Sequence, residues 1–399
     1  MNIAGITAEY NPFHTGHAYQ VSALREQLGR DAAVAAVMSG NWVQQGRPAV
    51  TDKWTRTRMA LNGGADLVLE LPTVWAASSA ESFARGAVAL MCRSGVVDTL
   101  CFGSETGELS SLQAAADCLD SPDYPAQLRR ALEGGASFAA ARQAAVERLI
   151  GPAGTALASP NNNLGVEYLR SLRALGSAIR PVTVRREGAA HNSLGKTGEG
   201  FRSATQLRQH LARGEWEAVR PYVPAGNLPL LQSAPLTDPE LGERAMLACL
   251  RKMRAEDWAK LPDAGAGEGL PQRLERAGQR CHSLDDFFAQ AKTRRYAMAR
   301  LRRMALWAFL GLTAADIPDE PPYLRVLGFN ARGREVLKEM KQKARLPILT
   351  KPAHARALDG PGRRLFELEA RCTDLYGLFL PQLPPPGQEW TRGPVIDID

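Results

Sequence analysis

The sequence predicts an α/β protein in which a parallel sheet, covered by helices on both faces, is followed by a mainly helical region. Three observations carry that reading. Over the first 224 residues strand-like and helix-like runs alternate, the order that builds parallel sheets through crossover helices. The strand-like runs are continuously apolar, as strands buried on both faces must be. Beyond about residue 224 the alternation stops and helical periodicity takes over, so the expected division is one domain over 1–224 and a second region over 225–399.

The first strand is expected over 3–7 and the first helix over 18–28, with Glu9-Tyr10-Asn11-Pro12-Phe13-His14-Thr15-Gly16-His17 between them. A second strand, 32–38, ends at Ser39-Gly40-Asn41; a helix, 52–62, is closed by Gly63-Gly64; a third strand, 66–71, stops at Pro72. The helix 79–93 leads to a fourth strand, 99–102, which runs into Gly103-Ser104-Glu105. Ligands of such sheets sit beyond the carboxyl ends of the strands, so four strand ends are expected to line one cleft. Helices fill most of 109–149. Ser159-Pro160-Asn161-Asn162-Asn163 opens the helix 164–175; Ser and Asn satisfy the first helical N–H groups. Three asparagines exceed what one cap needs, so their amides are candidates for contact with an adenine or ribose. A short strand, 182–184, ends in Arg185-Arg186, and 188–201 has the polar, glycine-rich composition of a mobile loop.

Two histidines three apart across a glycine, between a strand and a helix, have a specific physical use. A helix N-terminus favours phosphate through its N–H groups and dipole. Gly16 permits close backbone approach, and His14 and His17 can both direct donors at one phosphoryl group. The arrangement suits cleavage of a nucleotide between its α- and β-phosphates. Ser203 is placed to cap a helix whose first turns carry Thr205 and Arg208. Hydroxyls at a helix start with an arginine one turn in would hold β- and γ-phosphate oxygens as a second clamp. The leaving pyrophosphate calls for magnesium beside the triphosphate.

Of the second region, 262–269 is a small-residue loop, and 323–327 and 346–349 read as short strands around a basic helix, 331–344. Residues 381–387 are proline-rich, and they and the acidic end 396–399 read as a loose tail. Between them, 292–303 carries Lys292, Arg294, Arg295, Arg300, Arg302 and Arg303 with no acid interleaved. One helix is expected there, with Ala297, Leu301, Met304 and Ala308 as its buried stripe. Cations without partners favour a phosphate backbone.

The 399 residues carry a formal charge of +7 and a pI near 9.2, a balance that favours an acidic partner. Six scattered cysteines form no CxxC pair and no Cys/His cluster, so neither a structural zinc nor a disulfide framework is expected. No apolar run is long enough to span a membrane, and the amino-terminal sequence reads as a buried strand rather than a leader. A cytoplasmic protein is expected.

Together these segments resemble the bacterial tRNA(Met) cytidine acetate ligase family. The resemblance is carried by 8–17, by Val37-Met38-Ser39-Gly40, 67–72 and Phe102-Gly103-Ser104-Glu105, and by Ser159-Pro160-Asn161-Asn162 and Ser203-Ala204-Thr205 with Arg208. Lys292-Thr293-Arg294-Arg295-Tyr296 and Arg325-Val326-Leu327-Gly328-Phe329-Asn330 complete it. It implies a Rossmann-like nucleotidyltransferase domain and a helical region that contacts tRNA. It also implies an activity: acetate is activated with ATP to acetyl-adenylate, and the acetyl group passes to the exocyclic amine of the wobble cytidine of elongator tRNA(Met). The implied ATP site comprises Thr7, Ala8, Glu9, Tyr10, Asn11, Pro12, Phe13, His14, Thr15, Gly16, His17, Ala18, Tyr19 and Gln20, then Gly103, the Asn161-Asn162 pair and the Arg185-Arg186 pair. No membrane and no stable protein partner are implied. The chain departs from the family pattern at Gln44-Gln45-Gly46, where Gln-Arg-Gly is usual, and at Arg202, where an apolar residue is usual. Two other classes compete: an adenylating enzyme with a small-molecule acceptor, which the basic 292–303 run argues against, and a nucleotide-responsive RNA-binding protein, which the His14/His17 pair argues against.

Overall fold

A computed structural model describes residues 1–186, 202–265, 267 and 269–398; the expected loop 188–201 lies outside the described residues. Strands β1 (Ile3–Ala8), β2 (Ala33–Ser39), β3 (Leu67–Leu71), β4 (Thr99–Ser104) and β5 (Arg180–Arg185) run parallel in the spatial order β3-β2-β1-β4-β5. The chain moves outward from β1 through β2 and β3, then returns to add β4 on the other side of β1. That reversal leaves a crevice between the carboxyl ends of β1 and β4, where an α/β sheet takes its ligand. β2 is buried at every position, and its alanines let layers close in on both sides.

The connecting helices follow the expected order: α1 (Thr15–Leu28), α2 (Lys53–Asn62), α3 (Ala80–Ser94), α4 (Pro160–Ala174) and α5 (Ala204–Ala212). α1 buries Val21 and Leu24 against Ala4 and Ile6 of β1. α3 brings Gly86 so close to Trp75 that a Cβ would stand 2.4 Å from its ring. Beyond them come α6 (Met298–Leu310) and α7 (Gly360–Tyr376). Among the described residues, no helix is long and apolar enough to cross a membrane.

The sheet does not stop at residue 224. β6 (Leu324–Asn330) pairs antiparallel with β3, and β7 (Ile348–Leu349) and β8 (Val395–Asp397) both pair parallel with β6, giving eight strands in one sheet. The region after 225 is thus helical in most of its length but built into the first sheet. Of the stretches expected as a loose tail, 381–387 is mostly exposed, while 395–397 joins the sheet as β8; the segment between them is packed, Trp390 meeting Phe366 edge-on at 4.7 Å and Glu389 having no solvent exposure. The cause is a buried cation. Lys53 of α2, fully enclosed, reaches Glu70 of β3 at 2.5 Å and also pairs with Glu389, which in turn pairs with Arg325 of β6.

Candidate active site

His14 is the N-cap of α1, and its Nδ1 accepts a hydrogen bond from the Gly16 N–H at 3.1 Å. His17 returns the favour one turn later, its Nδ1 accepting from the His14 N–H at 3.2 Å. The two imidazoles are reciprocal caps, stacked with centroids 3.8 Å apart and planes 24° from parallel. Burial, then the positive charge of Arg186 and Arg208, pulls His14 down to about 3; burial, His14 and Arg186 pull His17 well below its ordinary value. Both rings are therefore neutral, and a neutral imidazole that accepts at Nδ1 carries its proton on Nε2. Each histidine keeps one fixed donor, Nε2–H. The helix N–H at Gly16 is spent on His14, so here the imidazoles, more than the bare helix end, have donors to offer.

The loop before them is held rigidly. Tyr10, with φ 45°, sits in the left-handed region that side chains rarely adopt, and such strain persists only where surroundings impose it. Arg56, a fully buried residue of α2, imposes it: its guanidinium donates to the Glu9 carbonyl at 2.6 Å, to Ser39 O at 3.2 Å, to Thr51 O at 3.1 Å and to Gly40 O. Asn11 Oδ1 accepts from the Val50 N–H at 2.7 Å, and the Glu9 carboxylate accepts from Gln44 N–H at 2.8 Å. Pro12 and Phe13 are packing residues, Phe13 lying against Gly63 where a Cβ would come within 2.1 Å of its ring. Arg56 thereby occupies the end of β2, while the first N–H after β3, that of Thr73, donates to Glu369 at 2.6 Å. The expected four-stranded cleft narrows to the ends of β1, β4 and β5.

On the β4 side, Glu105 caps α4: its carboxylate accepts from Asn161 N–H at 3.3 Å, Asn161 Nδ2 at 2.6 Å and Asn162 N–H at 2.9 Å. Asn162 is buried and its Oδ1 accepts from the Glu105 N–H at 2.9 Å. These asparagines join two loops; the amide oxygen of Asn162 is not available to a base or ribose. Arg186 follows β5 and lies over Gly103, where a Cβ would stand 3.1 Å from its Cγ. Arg185 is exposed and packs against Gly107 instead. Of the pair, Arg186 is the one whose charge reaches both histidines.

α5 brings Arg208 to the same loop, donating to Asn11 O at 2.7 Å and to Thr205 Oγ1 at 3.1 Å. Ser203 does not face outward as a phosphate ligand: it is buried, its Oγ accepting from the Gln206 N–H at 3.3 Å in a capping box. Two imidazole donors and two arginines thus converge where β1, β5 and α5 meet, a set suited to a phosphoryl group gaining charge.

A family model described as HIGH Nucleotidyl Transferase matches residues 1–388. A tRNA(Met) cytidine acetate ligase of Thermoanaerobacter sp. (strain X514) is 37% identical over 390 residues, covering 95% of each chain. That of Acetivibrio thermocellus is 34% identical over 418 residues, covering 99% of this chain and all of the relative. The crystal structure of Thermotoga maritima TmcAL superposes with a TM-score of 0.93 at 32% identity over the whole of both chains, and the form bound with alpha-thio ATP with a TM-score of 0.90. The chain belongs to the tRNA(Met) cytidine acetate ligase family.

In this ligase-family chain the basic segment differs from its expected form. The helix begins only at Met298, so the cations at 292–295 precede it. Arg303 pairs with Asp263 at 2.7 Å and Arg300 donates to the Asp263 carbonyl at 2.7 Å. Lys292 folds back on the carbonyls of Thr293 at 2.7 Å and Tyr296 at 2.6 Å. Arg303 is therefore a structural anchor; its acid comes from a loop far away in sequence, which inspection of the run alone cannot find. Arg294 and Arg295 are exposed and make no ion pair among the described residues. Sequence reasoning also passed over Arg56 and Lys53. The available signal was Glu70, a carboxylate inside the apolar strand Leu67–Leu71, which demands a buried cation.

Proposed function

We propose that this chain activates acetate with ATP and transfers the acetyl group to the exocyclic amine of the wobble cytidine of elongator tRNA(Met). In the first step a carboxylate oxygen of acetate attacks the α-phosphorus of ATP, the bond to the bridging oxygen breaks, and pyrophosphate departs. In the second, the cytidine amine attacks the acetyl carbon, AMP leaves with the bonding pair, and the amine loses one proton. The observation that carries the reading is the pair of neutral, tautomerically fixed imidazoles of His14 and His17 beside Arg186 and Arg208. They stabilise the α-phosphate as its charge develops and form no covalent intermediate. The acceptor is taken from the full-length relatives, which carry the name of tRNA(Met) ligases.

Magnesium fits this chain only as a companion of the triphosphate. Glu9 and Glu105, on the two loops flanking the crevice, are committed to Gln44 and to α4, and no cluster of three metal-binding side chains exists among the described residues. Within the proposed division of labour, Lys292, Arg294, Arg295 and Arg302 face tRNA, and the elements before 224 adenylate. Incubating tRNA with ATP, labelled acetate and the protein, followed by mass spectrometry of the wobble nucleoside, tests the reading. Labelled acetylcytidine at that position is expected; acetate-dependent pyrophosphate exchange without tRNA product would instead point to a small-molecule acceptor.

A further inference from the structure

Between the motif loop and α6 lies a small antiparallel ribbon, Trp42–Val43 paired with Arg47–Pro48. One end is tied to the site, since Gln44 N–H donates to Glu9 at 2.8 Å. Its turn presses on the basic helix: Gly46 has φ 72°, and a Cβ there would lie 2.5 Å from the backbone of Arg302 and Arg303. The ribbon is thus a strut from the phosphate site to α6. Arg47 rides on it, exposed, with no side-chain hydrogen bond or ion pair among the described residues. Its positive charge acts on two other guanidinium groups. Arg208 and Arg302 are each held below their ordinary values first by burial, with the positive charge of Arg47 adding to it for both. Asp285 alone opposes Arg47 and Arg302, while Glu9 opposes Arg208.

We propose that Arg47 and Arg302, continued outward by Arg294 and Arg295, form a track that carries the backbone of single-stranded RNA toward the crevice where Arg208 holds phosphate, with Arg47 the RNA contact closest to the nucleotide site. The proposal rests on the tRNA reading above and specifies the face the tRNA uses. A run of like charges joined to a phosphate site at one end and open to solvent at the other matches a polyanion longer than a nucleotide. A single strand suits it because the target base must leave its stack to be modified, and phosphate contacts guide a strand without reading it.

The test uses full-length Arg47→Ala and Arg47→Lys proteins and two assays. Acetate-dependent ATP–pyrophosphate exchange should stay within about twofold of the parent for both variants, because backbone contacts serve the RNA alone. For Arg47→Ala, filter binding of an anticodon stem-loop should weaken by about tenfold at low salt, and the salt slope should fall by about 0.7, the loss of one single-strand phosphate contact. Arg47→Lys, which keeps the charge, should restore the slope. An unchanged slope in Arg47→Ala would overturn the track, as would a parallel fall in exchange, which would place Arg47 in the ATP site. Failure of the parent protein to acetylate tRNA would instead sink the proposed function, a result separable from the binding slopes.

Discussion

At the scale of single residues, the chemistry of this crevice is set by what the two imidazoles cannot do. With each Nδ1 held by a backbone N–H, neither ring can rotate its proton away from Nε2. His17→Ala should slow adenylate formation by about 10²–10³, the usual loss for one preorganised donor, read as ATP–pyrophosphate exchange with acetate. The pH dependence follows from the same burial. Since His14 titrates near 3 in the folded protein, kcat/KM for exchange should lack an ascending limb near 6.5, the free histidine value. Stability has the opposite visibility. Between about 6.5 and 3 the unfolded chain binds the proton that the folded chain refuses, so stability is intact above about 6.5 and declines as pH falls through that window; thermal melts across acidic buffers measure it. The histidines were legible in the sequence because a spacing of three across a glycine at a strand–helix turn is local. Arg56 was not, since nothing in Lys53–Asn62 shows that a guanidinium there ends on the carbonyls of Glu9, Ser39 and Gly40.

At the scale of elements, helix starts are the working parts, and each is satisfied by a different device. α1 is capped by imidazoles, α5 by its own serine and glutamine, and α4 by a carboxylate from the loop after β4. The last couples two elements. Glu105→Ala should cost about 1–2 kcal/mol, in the range of a lost N-cap, and should raise the KM for ATP because Glu105 directly follows the end of β4 on which Arg186 rests, the Arg186 N–H donating to Ser104 O at 2.9 Å. Calorimetry and steady-state exchange read the two effects. The sequence showed that 159–163 begins a helix but could not show who caps it, because Glu105 is more than fifty positions earlier. The basic run illustrates the same limit. Its cations are plain in the sequence, yet Asp263 withdraws Arg303 from solvent through a contact of separation 40.

At the scale of the whole molecule, alternation of apolar strands with helices was enough to indicate a parallel sheet, and the switch between β1 and β4 places the crevice where the motif lies. The strands after 323 were visible too, but their partner was not: β6 joins β3 antiparallel, a pairing set by tertiary packing and by the buried charges beside it. Those charges tie the carboxyl-terminal segment to α2, β3 and β6. Glu389→Ala would leave Lys53 and Arg325 short of a counter-charge in the interior, a loss of about 3–5 kcal/mol against a total of about 5–15 kcal/mol; a lower denaturant midpoint with unchanged slope is the expected result. The packed carboxyl-terminal segment bears on the order of synthesis. Asn41, at the foot of the site, is hydrogen-bonded to Thr373, 332 positions later, and Lys53 waits for Glu389. On the ribosome, the nucleotide half therefore emerges with Lys53 paired to Glu70 but with its second carboxylate yet to be translated, so a nascent chain cut or stalled before 389 should be a client for chaperones and not a slow enzyme.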